Sequence, residues 1–405
     1  MASRTAFITG VGGFVGPYLA RRLLASGYEV AGLLQAGVDR NPPPSLVRMG
    51  IADQVQLFTG DLVESESLHG PLRKVAPDVI FHLAGYSEVR TSFLYPREVY
   101  RANCLGTENL LETIRTSGLD PTFVFAGSSE EYGLQFLSKD HYEAVLRDRG
   151  RVSPEPFRLP ELPVDENNPM RPLSPYAVSK VYGDQLARTY HYCYGMKAIV
   201  SRAFNHEGAG RGASYVTSSI VRQCLELAKG TADHISIGNV SAFRDWSHVE
   251  DIVEGYRILG ESGQPGEAYV LGAMRTTSVL AYLLFALEEL DFRILSISSL
   301  DGQKALEEPL LPMRTTIFGV SVELPRVDDV QLQGRLSFDL ADGGIRVRTD
   351  RGDITVRFDR ERFRPADVPV LLSNTSKIAG LGYRAKKSLR DIIRDQIGSA
   401  GSELG

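Results

Sequence analysis

The sequence predicts an α/β protein: a Rossmann-like, doubly wound parallel sheet, with a smaller C-terminal substrate domain that carries an inserted antiparallel β segment. Three observations predict it. A glycine-rich turn lies between a strand and a helix near the N-terminus. Nearly all-apolar short runs then alternate with helical stretches, as strands buried on both faces do. Beyond residue 300 the pattern changes to period-two alternation. Residues 1–170 are expected to form the parallel-sheet domain, with 171–203 and about 240–260 returning to it. Residues 204–405 are expected to be mainly the second, substrate domain, and 301–361 the β-rich insertion.

In chain order, Thr5–Thr9 reads as the first strand. It runs into "GVGGFVG", where Gly10, Gly13 and Gly16 are spaced G-x-x-G-x-x-G. Inside a βαβ unit such a turn lets the backbone approach a pyrophosphate, which sits on the positive end of the following helix. Leu19, Leu23 and Leu24 recur at helical spacing, "ASG" ends the helix, and "YEVAGLL" is the second strand. An acid at the end of that strand would bind a ribose 2′-hydroxyl, and an arginine a 2′-phosphate. The chain offers Leu33 and Leu34, then Gln35 and Ala36. Asp39 and Arg40 come late and fit either cofactor. "QVQLFTGDL" places Asp61 and Leu62 where an adenine would lie. "PDVIFHLAG" and "TFVFAGSS" are further strands, and "RANCLGTENLLETIRTSG" a helix. In sheets of this kind ligands bind beyond the carboxyl ends of the strands. "GSSEEYG" begins at such an end, which gives its adjacent acids, Glu130 and Glu131, a reason to be there.

"RPLSPYAVSKVYGDQLARTY" supplies Tyr176 and Lys180, four apart and so on one helical face, with Ser174 as cap and Pro175 at the first helical position. A free tyrosine titrates near ~10. An ammonium and a cationic nicotinamide nearby favour its phenolate, which could take a proton from an alcohol while Ser128 holds that hydroxyl.

With these residues in order, the chain resembles the extended short-chain dehydrogenase/reductase family. Within it, "DENNPMRPLSPYAVSK", "SRAFNHEGAGRGASYVTSSI", "IGNVSAFRDWSHVEDIVEGY" and "RPADVPVLLSNTSKIAGLGY" resemble the group of GDP-mannose 4,6-dehydratases and GDP-4-keto-6-deoxymannose reductases. The likeness covers roughly residues 4–300 and 362–398. It implies catalysis by Ser128, Glu130, Tyr176 and Lys180, with Glu130 removing the C5 proton of a 4-keto sugar and Glu131 pointing away. It implies a cofactor site of Gly10, Gly13, Phe14, Val15, Gly16, Asp61, Leu62, Leu83, Ala84, Tyr176, Lys180, His206 and Arg211. It implies substrate contacts from Ser87, Ser128, Asn205, Arg244, Arg364 and Asp367, the last a shorter carboxylate than the group's usual glutamate. The implied activity is an NAD(P)-dependent 4,6-dehydratase that converts GDP-mannose to GDP-4-keto-6-deoxymannose. The cofactor is expected to be NADP, with NAD as the alternative, and the assembly a homodimer or homotetramer. "GVGGFVG" lacks the Gln-Asp pair that the dehydratases carry and looks like the reductases. "FNHEGAGRG" and "RDW" look like the dehydratases. A 4-reductase and a nucleotide-sugar epimerase therefore stay open, and a non-catalytic nucleotide-sensing relative is disfavoured because Tyr176 and Lys180 are both present.

A net charge of −5 over 405 residues, without blocks of like charge, gives no electrostatic surface for nucleic acid or membrane. No apolar run approaches the ~20 residues of a membrane span, and the N-terminus enters a strand at once without a signal peptide, so the cytoplasm is expected. Cys104, Cys193 and Cys224 lie far apart and read as three buried thiols. His206 and His248 lack a third ligand at a sensible spacing, so no metal is expected. Trp246 reads as core. In 301–361, "TTIFGVSVEL", "DVQLQGRLSFDL" and "GIRVRTDRGDITVRFDR" read as three or four strands of a meander, with "PRVDD", "ADGG" and "DRGD" as turns. Arg346, Arg348 and Arg357 fall on one solvated face.

Overall fold

The structure, a computed structural model, describes residues 3–37, 41–364 and 366–403. Asp39 and Arg40, the late candidates for cofactor choice, lie outside them. The first six strands are β1 (Thr5–Thr9), β2 (Glu29–Gln35), β3 (Val55–Gly60), β4 (Val79–His82), β5 (Thr122–Ser128) and β6 (Lys197–Ala203). With the strand Ala268–Leu271 they form one seven-stranded sheet in the order 268–271, β6, β5, β4, β1, β2, β3. Every pairing in it is parallel. The order reverses direction between β1 and β4, which opens a crevice at the carboxyl ends of those strands. Two apolar clusters cover the faces of the sheet. One packs β1 and β4 against the helices Val15–Ala25 and Val249–Ser262. The other packs β5 and β6 against Gly106–Thr116 and Pro175–Tyr194. All four residues of β4 are buried, which explains their uniformly apolar run.

The expected boundaries of the first domain missed one return. The chain re-enters the sheet at Ala268–Leu271, after it has already built the helix Val216–Ala228 of the second lobe. The second lobe has its own core, formed by helices Val216–Ala228, Val279–Glu288 and Leu389–Glu403 against a five-stranded sheet.

The 301–361 segment, expected as a small meander inserted into the substrate domain, only partly forms one. The hairpin Gly344–Thr349/Gly352–Phe358 is built into the second lobe's sheet, between the strands Ile294–Ser299 and His234–Ile237. Only Pro312–Ile317 and Val320–Pro325 pair by themselves, as a largely exposed hairpin. The stretch read as a turn followed by a strand is the helix Arg326–Leu332. Its first turn carries Asp328 and Asp329, where the positive end of a helix favours carboxylates. Arg346, Arg348 and Arg357 are exposed. Arg346 lies 3.8 Å from Asp353, and Arg348 lies 3.2 Å from Glu307.

The three thiols also depart from expectation. All are free, but only Cys224 is buried. Cys104 is half-buried, and Cys193, near the end of its helix, is exposed. Trp246 is core, 1 % exposed and edge-on to Tyr282. No described helix is long and apolar enough to cross a membrane.

Candidate active site

A cavity of about 1620 Å³ runs along the carboxyl ends of the parallel strands into the second lobe. All the residues expected to act in catalysis or binding line it: Gly10, Gly13, Phe14, Val15, Gly16, Asp61, Leu62, Leu83, Ala84, Ser87, Ser128, Glu130, Tyr176, Lys180, Asn205, His206, Arg211, Arg244, Arg364 and Asp367.

At one end, β1 turns at Gly10, whose φ of +72° is left-handed and whose Cα would hold a Cβ only 2.9 Å from Ala84. A Cβ at Gly16 would come within 2.6 Å of Gly10 O, so the helix can approach the turn only with glycine there. At Gly13 the space facing the cavity is open apart from Gly10 O at 3.2 Å. Asp61 follows β3 and accepts the Val63 N–H at 2.9 Å. Arg211 is sandwiched between aromatic rings, its guanidinium carbon 4.8 Å from the Phe14 centroid and 3.5 Å from that of Tyr215. Its buried Nε makes no hydrogen bond. The His206 ring stacks on Phe14 and pairs through Nδ1 with Phe204 O at 2.9 Å, so Nδ1 carries the proton. Burial first, and then the Arg211 charge, push the His206 pKa down to about 4, which keeps it neutral. Arg211 Nε instead lies 3.4 Å from Glu207 Oε2, while a glycine turn open to backbone approach and a helix N-terminus fit the diphosphate of a dinucleotide.

At the centre, β5 ends on Ser128, which caps the short 3-10 turn Ser129–Glu131. Ser128 Oγ accepts the Glu130 N–H at 3.2 Å, and Glu131 Oε1 accepts the Ser128 N–H at 2.6 Å. The turn separates the two acids. Glu130 lines the cavity, while Glu131 is wholly buried beneath it. Glu131 Oε2 lies 3.6 Å from Arg202 Nε, which donates to Asp184 at 2.8 Å. Arg202 Nη1 donates to Tyr132 Oη and to Glu166 O. Burial, and next the Asp184 charge, hold the Glu131 carboxyl well above the usual carboxylate range. Glu131 does point away from the cavity, as expected, but into the core rather than into solvent.

Tyr176 and Lys180 lie on the helix Pro175–Tyr194, with the expected start: Ser174 Oγ accepts the Ala177 N–H, and Pro175 opens the first turn. Both side chains are buried. The Tyr176 phenol and Ser128 both line the cavity. Burial pushes the Tyr176 pKa up, the Ser128 hydroxyl opposes that, and the charges of Tyr215, Glu130 and Glu131 add to the rise. Lys180 Nζ donates to Ala126 O at 2.8 Å and lies 5.9 Å from the Tyr176 ring centroid. Burial lowers its pKa to about 8, against the pull of Glu131 and Cys104. The protein alone thus leaves the phenol protonated, and further positive charge is needed to make it a base.

At the far end, Arg244 and Arg364 differ. Arg244 Nη1 donates to Val368 O and Phe243 O, and its Nη2 donates to Asp367 Oδ1 at 2.6 Å. Asp367 Oδ2 also accepts from Asn239 at 3.1 Å, so the carboxylate expected at a ribose is engaged in holding Arg244. Arg364 only approaches Asp367, at 3.8 Å. Asn205 sits beyond β6 with Oδ1 buried and without a partner. His248 faces Asp395 at 3.2 Å, and no group of three metal-ligating side chains occurs among the described residues. Sequence reasoning passed over Tyr215, whose hydroxyl lies 2.7 Å from Ser87 Oγ. A tyrosine directly before a helix start, inside a segment already singled out, was the available signal.

A family model described as "NAD dependent epimerase/dehydratase family" matches residues 6–272. A GDP-mannose 4,6-dehydratase of Vibrio cholerae is 30% identical over 401 residues, covering 97% of this chain and 93% of the relative. One of Yersinia enterocolitica serotype O:8 is 30% identical over 382 residues, covering 92% and 87%. Among solved structures, RMD from Pseudomonas aeruginosa complexed with NADPH aligns with a TM-score of 0.65 at 20% identity, covering 99% of this chain and all of that one. The UDP-glucose 4-epimerase of Bifidobacterium longum in complex with NAD+ and UDP aligns with a TM-score of 0.69 at 18% identity, covering 99% of each. At these identities the two structures show the shared fold.

Proposed function

The chain belongs to the NAD dependent epimerase/dehydratase family and is a nucleotide-sugar dehydratase of the extended short-chain dehydrogenase/reductase type, and from that premise we propose that it is a GDP-mannose 4,6-dehydratase working with NADP. The observation that carries the reading is the meeting, at the end of β5, of a hydroxyl, a carboxylate and a phenol: Ser128, Glu130 and Tyr176. A simple oxidation or reduction at C4 uses the hydroxyl and the phenol. Elimination of water also needs a base for the C5 proton, and Glu130 provides one.

In this reading the first lobe holds the cofactor on the Gly10–Gly16 turn, with Asp61 and Leu62 at the adenine end and Arg211 at the diphosphate. When bound, the nicotinamide would supply the acceptor for the C4 hydride and the source of the hydride for C6. Ser128 positions the C4 hydroxyl and Tyr176 takes its proton. Lys180 contributes positive charge that favours the phenolate. With C4 a ketone, the C5 proton is acidic; Glu130 removes it and passes it to the C6 hydroxyl, which leaves as water, and the proton that Tyr176 took from the C4 hydroxyl balances the one C5 regains when hydride reaches C6. Arg364 and Arg244 hold the nucleotide diphosphate or its ribose, with the forked donors that suit those oxygens. Asn205 contacts the diphosphate, and Ser87 the substrate nearer the sugar.

The test is incubation with GDP-mannose and a substoichiometric amount of oxidised NADP. A product lighter by one water, with no net change at the reduced-nicotinamide absorbance band, is expected. Stoichiometric NADPH oxidation with a 4-keto-6-deoxy nucleotide sugar, and no turnover of GDP-mannose, would replace this reading with the 4-reductase.

A further inference from the structure

The hydroxyls of Ser87 and Tyr215 meet at 2.7 Å across the cavity. Ser87 belongs to the loop that leaves β4, on the sheet side, and Tyr215 directly precedes the helix Val216–Ala228 of the second lobe. The ring is held from behind. The Arg211 guanidinium lies 3.5 Å from its centroid, and the far face of that guanidinium rests on Phe14. The phenol therefore has a fixed position in the cavity that Tyr176 also lines.

The chemistry of the pair selects its ligand. Two hydroxyls joined by one hydrogen bond retain one O–H donor and three lone pairs. A sugar hydroxyl, at once donor and acceptor, satisfies such a set. A phosphate oxygen accepts only and is better served by the arginines further along. We propose that Tyr215 and Ser87 form a hydroxyl clamp that reads a hexose hydroxyl other than the one presented to Tyr176, which makes Tyr215 a residue that determines sugar specificity. The proposal rests on the nucleotide-sugar reading of the cavity and adds to it the group that recognises the hexose.

The experiment compares wild type and Tyr215→Phe, with NADP+ bound, for calorimetric affinity toward two probes. GDP-4-deoxymannose keeps the other hydroxyls but cannot be oxidised, so binding is read without turnover. GDP lacks the sugar. Tyr215→Phe keeps the ring against Arg211. It is expected to weaken GDP-4-deoxymannose about five-fold, the value of one hydrogen bond, and GDP less than about two-fold. An equal loss for both probes, or no loss for either, overturns the clamp. Turnover of GDP-mannose by the wild type is followed alongside. If it is absent while the sugar-selective loss is present, the clamp stands and the dehydratase assignment falls.

Discussion

Glu131 Oε1 accepts the Ser128 N–H at 2.6 Å from within the core, while Glu130, the next residue in the chain, faces the cavity. Two adjacent acids thus have separate tasks: one fixes the end of β5 and the other is available to substrate. Glu130→Gln keeps the shape and loses the base, and it is expected to lower dehydration by at least about 10²-fold. Mass spectrometry of the product, with melting temperature and cofactor affinity as controls, reads this directly. Water elimination at near wild-type rate would remove Glu130 from the mechanism.

The buried group below should behave differently. Glu131→Gln copies the protonated carboxyl, still accepts from Ser128 and can donate to Asp184, so a change in stability within about 1 kcal/mol is expected. Arg202→Met takes from the buried Asp184 its close partner and leaves only Arg188 at 3.8 Å, so it should cost about 3–5 kcal/mol. Urea unfolding of the two variants distinguishes these outcomes, and similar losses in both would contradict a protonated Glu131.

Lys180 predicts a pH dependence. Its pKa is near 10.4 in the unfolded chain and about 8 in the folded one. Between those values the unfolded state binds more protons, so stability contributed by this site rises with pH. The rise between pH 8 and 10 should be on the order of 2 kcal/mol and vanish in Lys180→Met, a difference measured by unfolding both proteins at the two pH values. An identical pH slope in wild type and variant would mean that the folded ammonium keeps its ordinary pKa. Tyr176→Phe, by contrast, should show its effect in turnover, with a loss of about 10²–10⁴.

The two arginines at the nucleotide end should separate binding from stability. Arg364→Ala is expected to raise the dissociation constant for GDP about ten-fold, since a charge-assisted bond is lost, with little change in melting temperature. Arg244→Ala removes the donor from Asp367 Oδ1 and Val368 O, although Asn239 still donates to Asp367 Oδ2 and the Leu371 N–H to Phe243 O, so it should lower melting temperature as well as affinity. Titration calorimetry and thermal scans on both variants check the distinction.

Much of the site was legible because its residues follow local rules. The glycine spacing, the Ser174-Pro175 helix start and the placement of "GSSEEYG" after an apolar run each specify geometry over a few residues. What stayed hidden depends on partners distant in sequence. Nothing near Glu131 in the chain says that Asp184 and Arg202 will surround it, or near Ser87 that Tyr215 will face it 128 residues on. The alternation of residues 329–340 was misread for a related reason. Asp328 and Asp329 favour a helix start, and Asp328 is buried where it accepts the Ser278 N–H, a contact between segments fifty residues apart. Cofactor choice stayed open because the strand that usually decides it carries Leu33, Leu34 and Gln35 at its end, neither an acid nor an arginine.

The late return of Ala268–Leu271 to the central sheet has a consequence for how the chain is made. During synthesis, the strands through β6 emerge together, but the neighbour that closes their outer edge appears only after part of the other lobe has been made. At about 5–20 residues per second that edge waits several seconds with its backbone groups exposed, the condition under which strands recruit foreign chains. A nascent protein of this topology should therefore need holding by a chaperone in that interval. A ribosome-bound chain arrested before residue 268 should be markedly more prone to aggregate than one arrested after the sheet is complete.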